Sequence, residues 1–297
     1  MKTIEAGSRI EIKNILFTTD FSPAGNSALP YANEFAKRFG AKLYALHVRP
    51  PAINPMTQPT TWPVLEEAAK AEAQEERRTL LKSFPGVQPE VLVEEGEFWG
   101  ILKSTIEKNK IDLIVLGTRG RSGARKLFMG STAEKIFRDV SCAVLTVGPF
   151  SHAELPRGGE VSEILYATDF GPGSANGAAY AVSLAQEFQA RLTLLHVITE
   201  PKTGDLVHPS ELVASSEHLL RKLVTPETEL WCEPRFAVEQ GSAAETILEV
   251  AKNRKADLIV LGLHRPSGFL GAATHLPMAT AHKVVTHAPC PVLTVRG

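Results

Sequence analysis

Ile111-Asp112-Leu113-Ile114-Val115-Leu116-Gly117 is a near-continuous apolar run, and it returns later in the chain as Ala256-Asp257-Leu258-Ile259-Val260-Leu261-Gly262. A short apolar run of this kind, ending at a glycine, suits a strand buried on both faces, and such strands belong to parallel sheets covered by helices. Its recurrence signals a duplicated fold. Working outward from it, Thr19-Asp20-Phe21 matches Thr168-Asp169-Phe170, and His47-Val48 matches His196-Val197, both at an offset of 149. Gly96 pairs with Gly241 at an offset of 145, and Val144-Leu145-Thr146-Val147 with Val292-Leu293-Thr294-Val295 at 148. Offsets that change only between matching blocks mean that loops changed length while the strands kept their order. Each copy is too long for a solenoid unit of roughly 20 to 50 residues, which leaves two similar domains side by side. Pro149 to Glu160, with Pro156 and Gly158-Gly159, breaks the periodic pattern, so we expect one domain over residues 1–150 and a second over 151–297.

Periodicity supplies the architecture. In the first copy Ile12 to Thr18 reads as a strand, and Pro30 to Phe39 as a helix closed by Gly40. Lys42 to Val48 is a second strand, Val64 to Phe84 an Ala- and Glu-rich amphipathic helix, and Glu90 to Glu94 a short third strand. Trp99 to Asn109 and Thr132 to Val140 read as helices on either side of the 111–116 strand, and Ala143 to Val147 closes the copy. The second copy repeats this from Ile164 to Val295. Strands alternating with helices imply crossover connections, hence parallel sheets with helices on both faces: two tandem doubly wound α/β domains.

Hydrophobic residues make up 43% of the chain, charged residues 22%, and the net charge is −1. That balance supports buried cores and gives no electrostatic reason to expect nucleic acid. Met1 to Asn14 lacks the apolar core of a signal peptide, and no run approaches the roughly 18 apolar residues of a membrane span, so the expectation is a cytoplasmic protein that engages no membrane. Cys142, Cys232 and Cys290 are odd in number and lack CxxC spacing, which argues against a disulfide framework or a zinc knuckle. Cys142 and Cys290 hold matching places before the last strand of each copy and suit small buried side chains.

In doubly wound sheets ligands sit beyond the carboxyl ends of the strands. There, in the first copy, stand Asp20 after strand one, Val48 at the end of strand two, and Gly117-Thr118-Arg119-Gly120 after strand four. Nine residues later Gly130-Ser131-Thr132 opens a helix. Glycines at 117 and 120 let backbone approach a bulky ligand and permit positive φ, while the free amides of a helix start favour an anion. Arg119, Arg121, Arg125 and Lys126 add four cations within eight residues, a complement to a di- or triphosphate. The plainer reading is a helix cap beside a solvated basic turn.

These residues resemble the universal stress protein family in its tandem form. The resemblance covers almost the whole chain as two copies, carried by Gly117-x2-Gly120-x9-Gly130-Ser131, Thr19-Asp20-Phe21-Ser22 and Leu46-His47-Val48. It implies five-stranded parallel sheets in the order 3-2-1-4-5, an adenine-nucleotide alpha-hydrolase-like fold, with the switch point between strands one and four. It also implies an adenine nucleotide, ATP foremost, with Mg²⁺ riding on its phosphates. Asp20 would lie near ribose and adenine, the backbone of Val48 would read the adenine edge, and Gly117 and Gly120 would flank ribose and phosphates, beside the Arg119 cation already read from the loop. Gly130, Ser131 and, more loosely, Thr132 would hold the phosphate tail. Domains of the family pair through their last strands, so Ala143 to Val147 and Pro291 to Val295 are expected to join the halves within one chain, and pairing of whole chains is left open.

The second copy keeps Asp169 and Gly262, but Arg265 replaces the second glycine and Met278-Ala279 replaces Gly-Ser. It is expected to be a structural partner or a differently specialised pocket. His47 and His196 read as satisfied structural residues, and the spacings of His264, His275, His282 and His287 match no standard zinc pattern. Trp62, Trp99 and Trp231 read as core or rim packing, and the Val64 to Phe84 helix as a solvated face or lid. Three function classes stand: a stress-associated regulatory protein that binds ATP in its first copy, a slow ATPase or nucleotide-transfer enzyme, and a nucleotide-free interaction scaffold. No nucleophile with its base appears in Thr19 to Pro23, so no catalytic residue is assigned.

Overall fold

The computed structural model describes residues 10–51, 62–118, 129–151, 161–199, 209–226, 228, 232–263 and 275–296. In the first copy β1 (Asn14–Thr18) lies between β2 (Lys42–Arg49) and β4 (Leu113–Gly117), with β3 (Glu90–Glu95) outside β2 and β5 (Ala143–Val147) outside β4, every pair parallel. The second copy repeats this with β6 (Glu163–Thr168), β7 (Arg191–Ile198), β8 (Arg235–Gln240), β9 (Leu258–Leu263) and β10 (Val292–Arg296). Each half therefore has the order 3-2-1-4-5, and the switch point falls between β1 and β4, and again between β6 and β9.

The halves join through β5 and β10, the one antiparallel pair, to give a single ten-stranded sheet. Leu145 faces Leu293 at its centre. Thr146 Oγ1 donates to Val292 O at 3.1 Å and Thr294 Oγ1 donates to Val144 O at 3.3 Å, a reciprocal pair of contacts about a local twofold axis. The repeated aspartate of the opening motif is structural: Asp112 Oδ2 accepts the N–H groups of Lys13 and Asn14 at 2.8 and 2.9 Å, and Asp257 Oδ2 those of Ser162 and Glu163 at 2.8 and 3.0 Å. Each clamp sets the register between a central strand and its neighbour.

The helices are α1 (Pro23–Asn26), α2 (Leu29–Phe39), α3 (Trp62–Lys82), α4 (Phe98–Asn109), α5 (Ser131–Asp139), α6 (Ser174–Phe188), α7 (Pro209–Arg221), α8 (Ala243–Arg254) and α9 (His275–His287). Alternate residues of β1 show why both faces are covered. Ile15 and Phe17 pack with Tyr31 and Phe35 of α2 and Leu184 of α6, whereas Leu16 packs with Ile136 of α5 and Val284 of α9. Each face thus carries one apolar core that runs through both copies. Phe35 and Phe188 meet across the junction with ring centroids 5.2 Å apart, and the Arg38 guanidinium sits 5.1 Å over Phe188. Cys290 is buried and Cys142 half-buried; burial pushes the Cys142 thiol up to about 12 and raises that of Cys290 as well, so both stay protonated at neutral pH. Among the described residues no helix is long and apolar enough to cross a membrane.

Arg296, at the end of β10, reaches into the other copy. Its guanidinium donates to the carbonyls of Phe137 and Arg138 at 2.5 and 2.6 Å, closing the C-terminus of α5, where a cation also complements the helix dipole. Arg296→Ala is expected to cost about 2 kcal/mol, because it strands two partly buried carbonyls. Urea denaturation checks this: the midpoint should fall with an unchanged slope.

Candidate functional site

The turn after β1 is built from short polar side chains. Phe21 N–H donates to Thr19 Oγ1 at 2.9 Å, which in turn donates to Asn26 Oδ1 at 2.7 Å. Ser22 donates through its N–H at 3.0 Å and its hydroxyl at 2.6 Å to Asp20 Oδ1, and Ser22 Oγ then accepts Gly25 N–H at 3.0 Å to start α1. This holds Phe21 at φ 61°, an unusual conformation for a residue with a side chain, and Phe170 repeats it at 59°. The Phe21 ring rests against His47 with centroids 4.7 Å apart, and His47 Nδ1 lies 2.8 Å from Thr19 O. A carbonyl can only accept, so Nδ1 carries the proton and the histidine is a satisfied structural residue.

Above this turn a cavity of about 390 Å³ opens, and Asp20, Val48, Gly117, Gly130, Ser131 and Thr132 all line it. Six of the eight residues singled out in the sequence are thereby brought together. Arg119 and Gly120, with Arg121, Arg125 and Lys126, lie outside the described residues. Gly130 is the N-cap of α5: its N–H donates to Thr118 O at 2.8 Å and its carbonyl accepts Glu134 N–H at 2.8 Å. The helix therefore begins beyond it, leaving the amides of Ser131, Thr132 and Ala133 without acceptors inside the helix. The side chains of Ser131 and Thr132 are exposed at this mouth.

The positive φ expected at Gly117 is not found, and Gly120 lies outside the described residues; Gly130 sits at φ −64° and ψ 147°, open to any residue. A Cβ on Gly117 would lie 2.1 Å from the carbonyl oxygen of Ala24, so this glycine lets α1 close onto β4. Gly262 repeats the contact, its Cβ position 2.5 Å from Gly173 O. Retention of this glycine in both copies is accounted for by packing, although Gly117 also lines the cavity. Gly25 does belong to the site, since a Cβ there would crowd Asp20 Oδ1 at 2.6 Å.

Two features of the first site were not read from the sequence. Phe98 and Ile136 form an apolar wall of the cavity. The charged face of α3 is not merely solvated: Arg49 pairs with Glu72, and Arg49 Nε and His47 Nε2 lie 3.4 and 3.6 Å from the two oxygens of Glu76, fastening α3 over the end of β2. Trp99, expected as core or rim packing, is half-buried, with Lys103 and Lys135 Nζ 5.3 and 4.6 Å from its ring centroid. The signal for Phe98 was present in the repeat itself, where Ala243 takes its place at the same offset of 145 that relates Gly96 to Gly241.

The second copy has its own cavity, of about 1030 Å³, lined by Asp169, His196, Val197, Gly262, Ala279 and Thr280 among others. It is larger, yet it lacks the amide mouth. α9 has 13 residues against 9 in α5, and the extra turn is all at its N-terminus, so Ala279, the counterpart of Ser131, falls in the second turn. Amides there are engaged by carbonyls of the preceding turn. Arg265 and His264 lie outside the described residues, as does Trp231. Among the described residues no cluster of three His, Cys, Asp or Glu is placed to hold a metal ion.

The family model described as the universal stress protein family matches this chain twice, over residues 11–148 and 160–296. The chain belongs to the universal stress protein family. Among relatives, a universal stress protein of Methanocaldococcus jannaschii is 32% identical over 140 residues, covering 46% of this chain and 81% of that one. Another, from Thermus aquaticus, is 34% identical over 139 residues and is covered over 98% of its length. A solved universal stress protein from Archaeoglobus fulgidus superimposes with a TM-score of 0.68 at 20% identity, covering 97% of this chain and 99% of that one. A further one from Pseudomonas aeruginosa gives 0.61 at 18% identity, covering 96% and 93%. At these identities the two structures show the fold alone, shared over almost the whole chain.

Proposed function

We propose that this universal stress protein binds one adenine nucleotide, ATP foremost, in its first copy and acts as a stress-associated regulator whose conformation or partner choice follows occupancy. The observation that carries this is the convergence of Asp20, Val48, Gly130, Ser131 and Thr132 on one cavity at the amide mouth of α5. Unpaired amides at a helix start, together with the positive end of its dipole, favour phosphate oxygens. By the family resemblance the base would lie beside Val48 and the ribose beside Asp20, and Phe98 and Ile136 offer an apolar surface for a purine.

Mg²⁺ fits this site only with its nucleotide. Among the described residues Asp20 is the one carboxylate lining the cavity, and its Oδ1 already accepts two hydrogen bonds from Ser22. A divalent ion needs about six oxygen ligands, which phosphates and water would have to complete. The Ser22 hydroxyl that donates to Asp20 Oδ1 is also the N-cap acceptor for Gly25 N–H, a structural use that favours binding over chemistry. With saturating ATP and Mg²⁺, bound nucleotide is expected to be recovered intact, and phosphate release to be the same in wild type and Asp20→Ala. Asp20-dependent turnover near the ~1 s⁻¹ or faster of dedicated enzymes would make the protein an ATPase instead.

A further inference from the structure

Two coordinated sets of differences open the second cavity. Ala243 lines the second cavity where Phe98 lines the first, so the aromatic part of that wall is gone. Aligning the buried Leu220 and Val224 with Leu80 and Phe84 puts Leu212 opposite Glu72 and Ser216 opposite Glu76, while the β7 register puts Ile198 opposite Arg49. The ion-paired clamp of the first copy has become Ile198, Leu212 and Ser216, all of which line the larger space. The cavity thus extends along β7 to α7, where Ile198 and Leu212 add apolar lining beside Thr199 and Ser216.

Its charges disfavour anions. Among the described residues Asp169 and Glu245 line it against one lysine, Lys283, which is already paired with Glu245. That lysine, with the Ser242 hydroxyl, holds the Glu245 carboxyl down to about 2, so it stays ionised. At the inner end His196 Nδ1 lies 2.8 Å from Thr168 O and must donate to it, which leaves Nε2 of the neutral ring as an acceptor. The Glu76 partner that faces His47 has no equivalent here, its place being taken by Ser216.

We propose that the second copy is a separate binding site for an uncharged, largely apolar organic molecule that carries a hydroxyl or N–H donor at one end. The donor meets His196 and Asp169, and the apolar body fills the chamber between Ile198, Leu212 and Ala243. Phosphate is refused because Ala279 lies within α9 rather than at its mouth.

The test uses the full chain with excess ATP present, and two matched fluorescent probes, 1-pyrenemethanol and its anionic analogue 1-pyrenesulfonate. One 1-pyrenemethanol per chain is expected, bound at least tenfold more tightly than the sulfonate. Ala243→Phe, which restores the aromatic wall, should weaken it at least tenfold, and so should Ile198→Arg combined with Leu212→Glu, which restores the clamp; if one variant fails to fold by circular dichroism, the other decides. Gly130→Met should leave the alcohol bound as in wild type, so failure here is distinguishable from failure of the ATP assignment. No uptake of the alcohol, equal affinity for the sulfonate, or binding that survives the folded wall variants overturns the proposal.

Discussion

Gly117→Ala is expected to lower the melting temperature by on the order of 10 °C, the largest stability effect among the substitutions considered. The added Cβ would lie 2.1 Å from Ala24 O and 3.0 Å from Ala24 C, both backbone atoms, so no side chain can swing aside to relieve it. Either β4 or α1 must move, and overpacking of this kind costs about 3 kcal/mol or more. Gly40→Ala is the matched control. It has φ +58° but nothing within 4 Å of the added Cβ, so it should cost only about 1 kcal/mol from backbone conformation. Calorimetry of the two variants separates packing from backbone freedom. A Gly117→Ala protein that melts like wild type would return this glycine to the role of a ligand contact.

Gly130→Met should do the reverse, weakening ATP at least tenfold, about 1.4 kcal/mol, while changing stability by less than about 1 kcal/mol. Its backbone at φ −64° and ψ 147° accepts any residue, and its own N–H and carbonyl bonds to Thr118 and Glu134 are main-chain contacts that the substitution keeps. What changes is the space in front of Ser131 and Thr132, where a methionine side chain would stand between the amides and a phosphate. Equal ATP affinity in this variant, measured by isothermal titration on a protein shown to fold, would remove α5 from the site.

Much of this was legible because the repeat supplied its own comparison. The 111–116 and 256–261 runs marked central strands, since burial on both faces leaves no polar alternation to confuse them. The second copy's loss of Gly-Ser marked the asymmetry, although the physical cause, an α9 that starts a turn early, lies in helix length rather than in the two residues replaced. Reasons of packing stayed hidden. Gly117 touches Ala24, and Arg296 touches Phe137, across 93 and 159 positions of chain, separations at which local patterns carry no signal. The short α1 was also missed: four residues at Pro23–Asn26 are too few for periodicity to register. The clamp of α3 escaped notice because Glu72 and Glu76 sit on a helix whose composition looks solvated throughout.

The central claim is that two halves with one topology differ in what their helix mouths can grip. Native mass spectrometry of the full chain, titrated with ATP and Mg²⁺, counts the occupied sites directly. One ATP per chain at saturation, lost in Gly130→Met, is the expected result; no adenylate bound, or two equivalent ATP molecules per chain, contradicts the account.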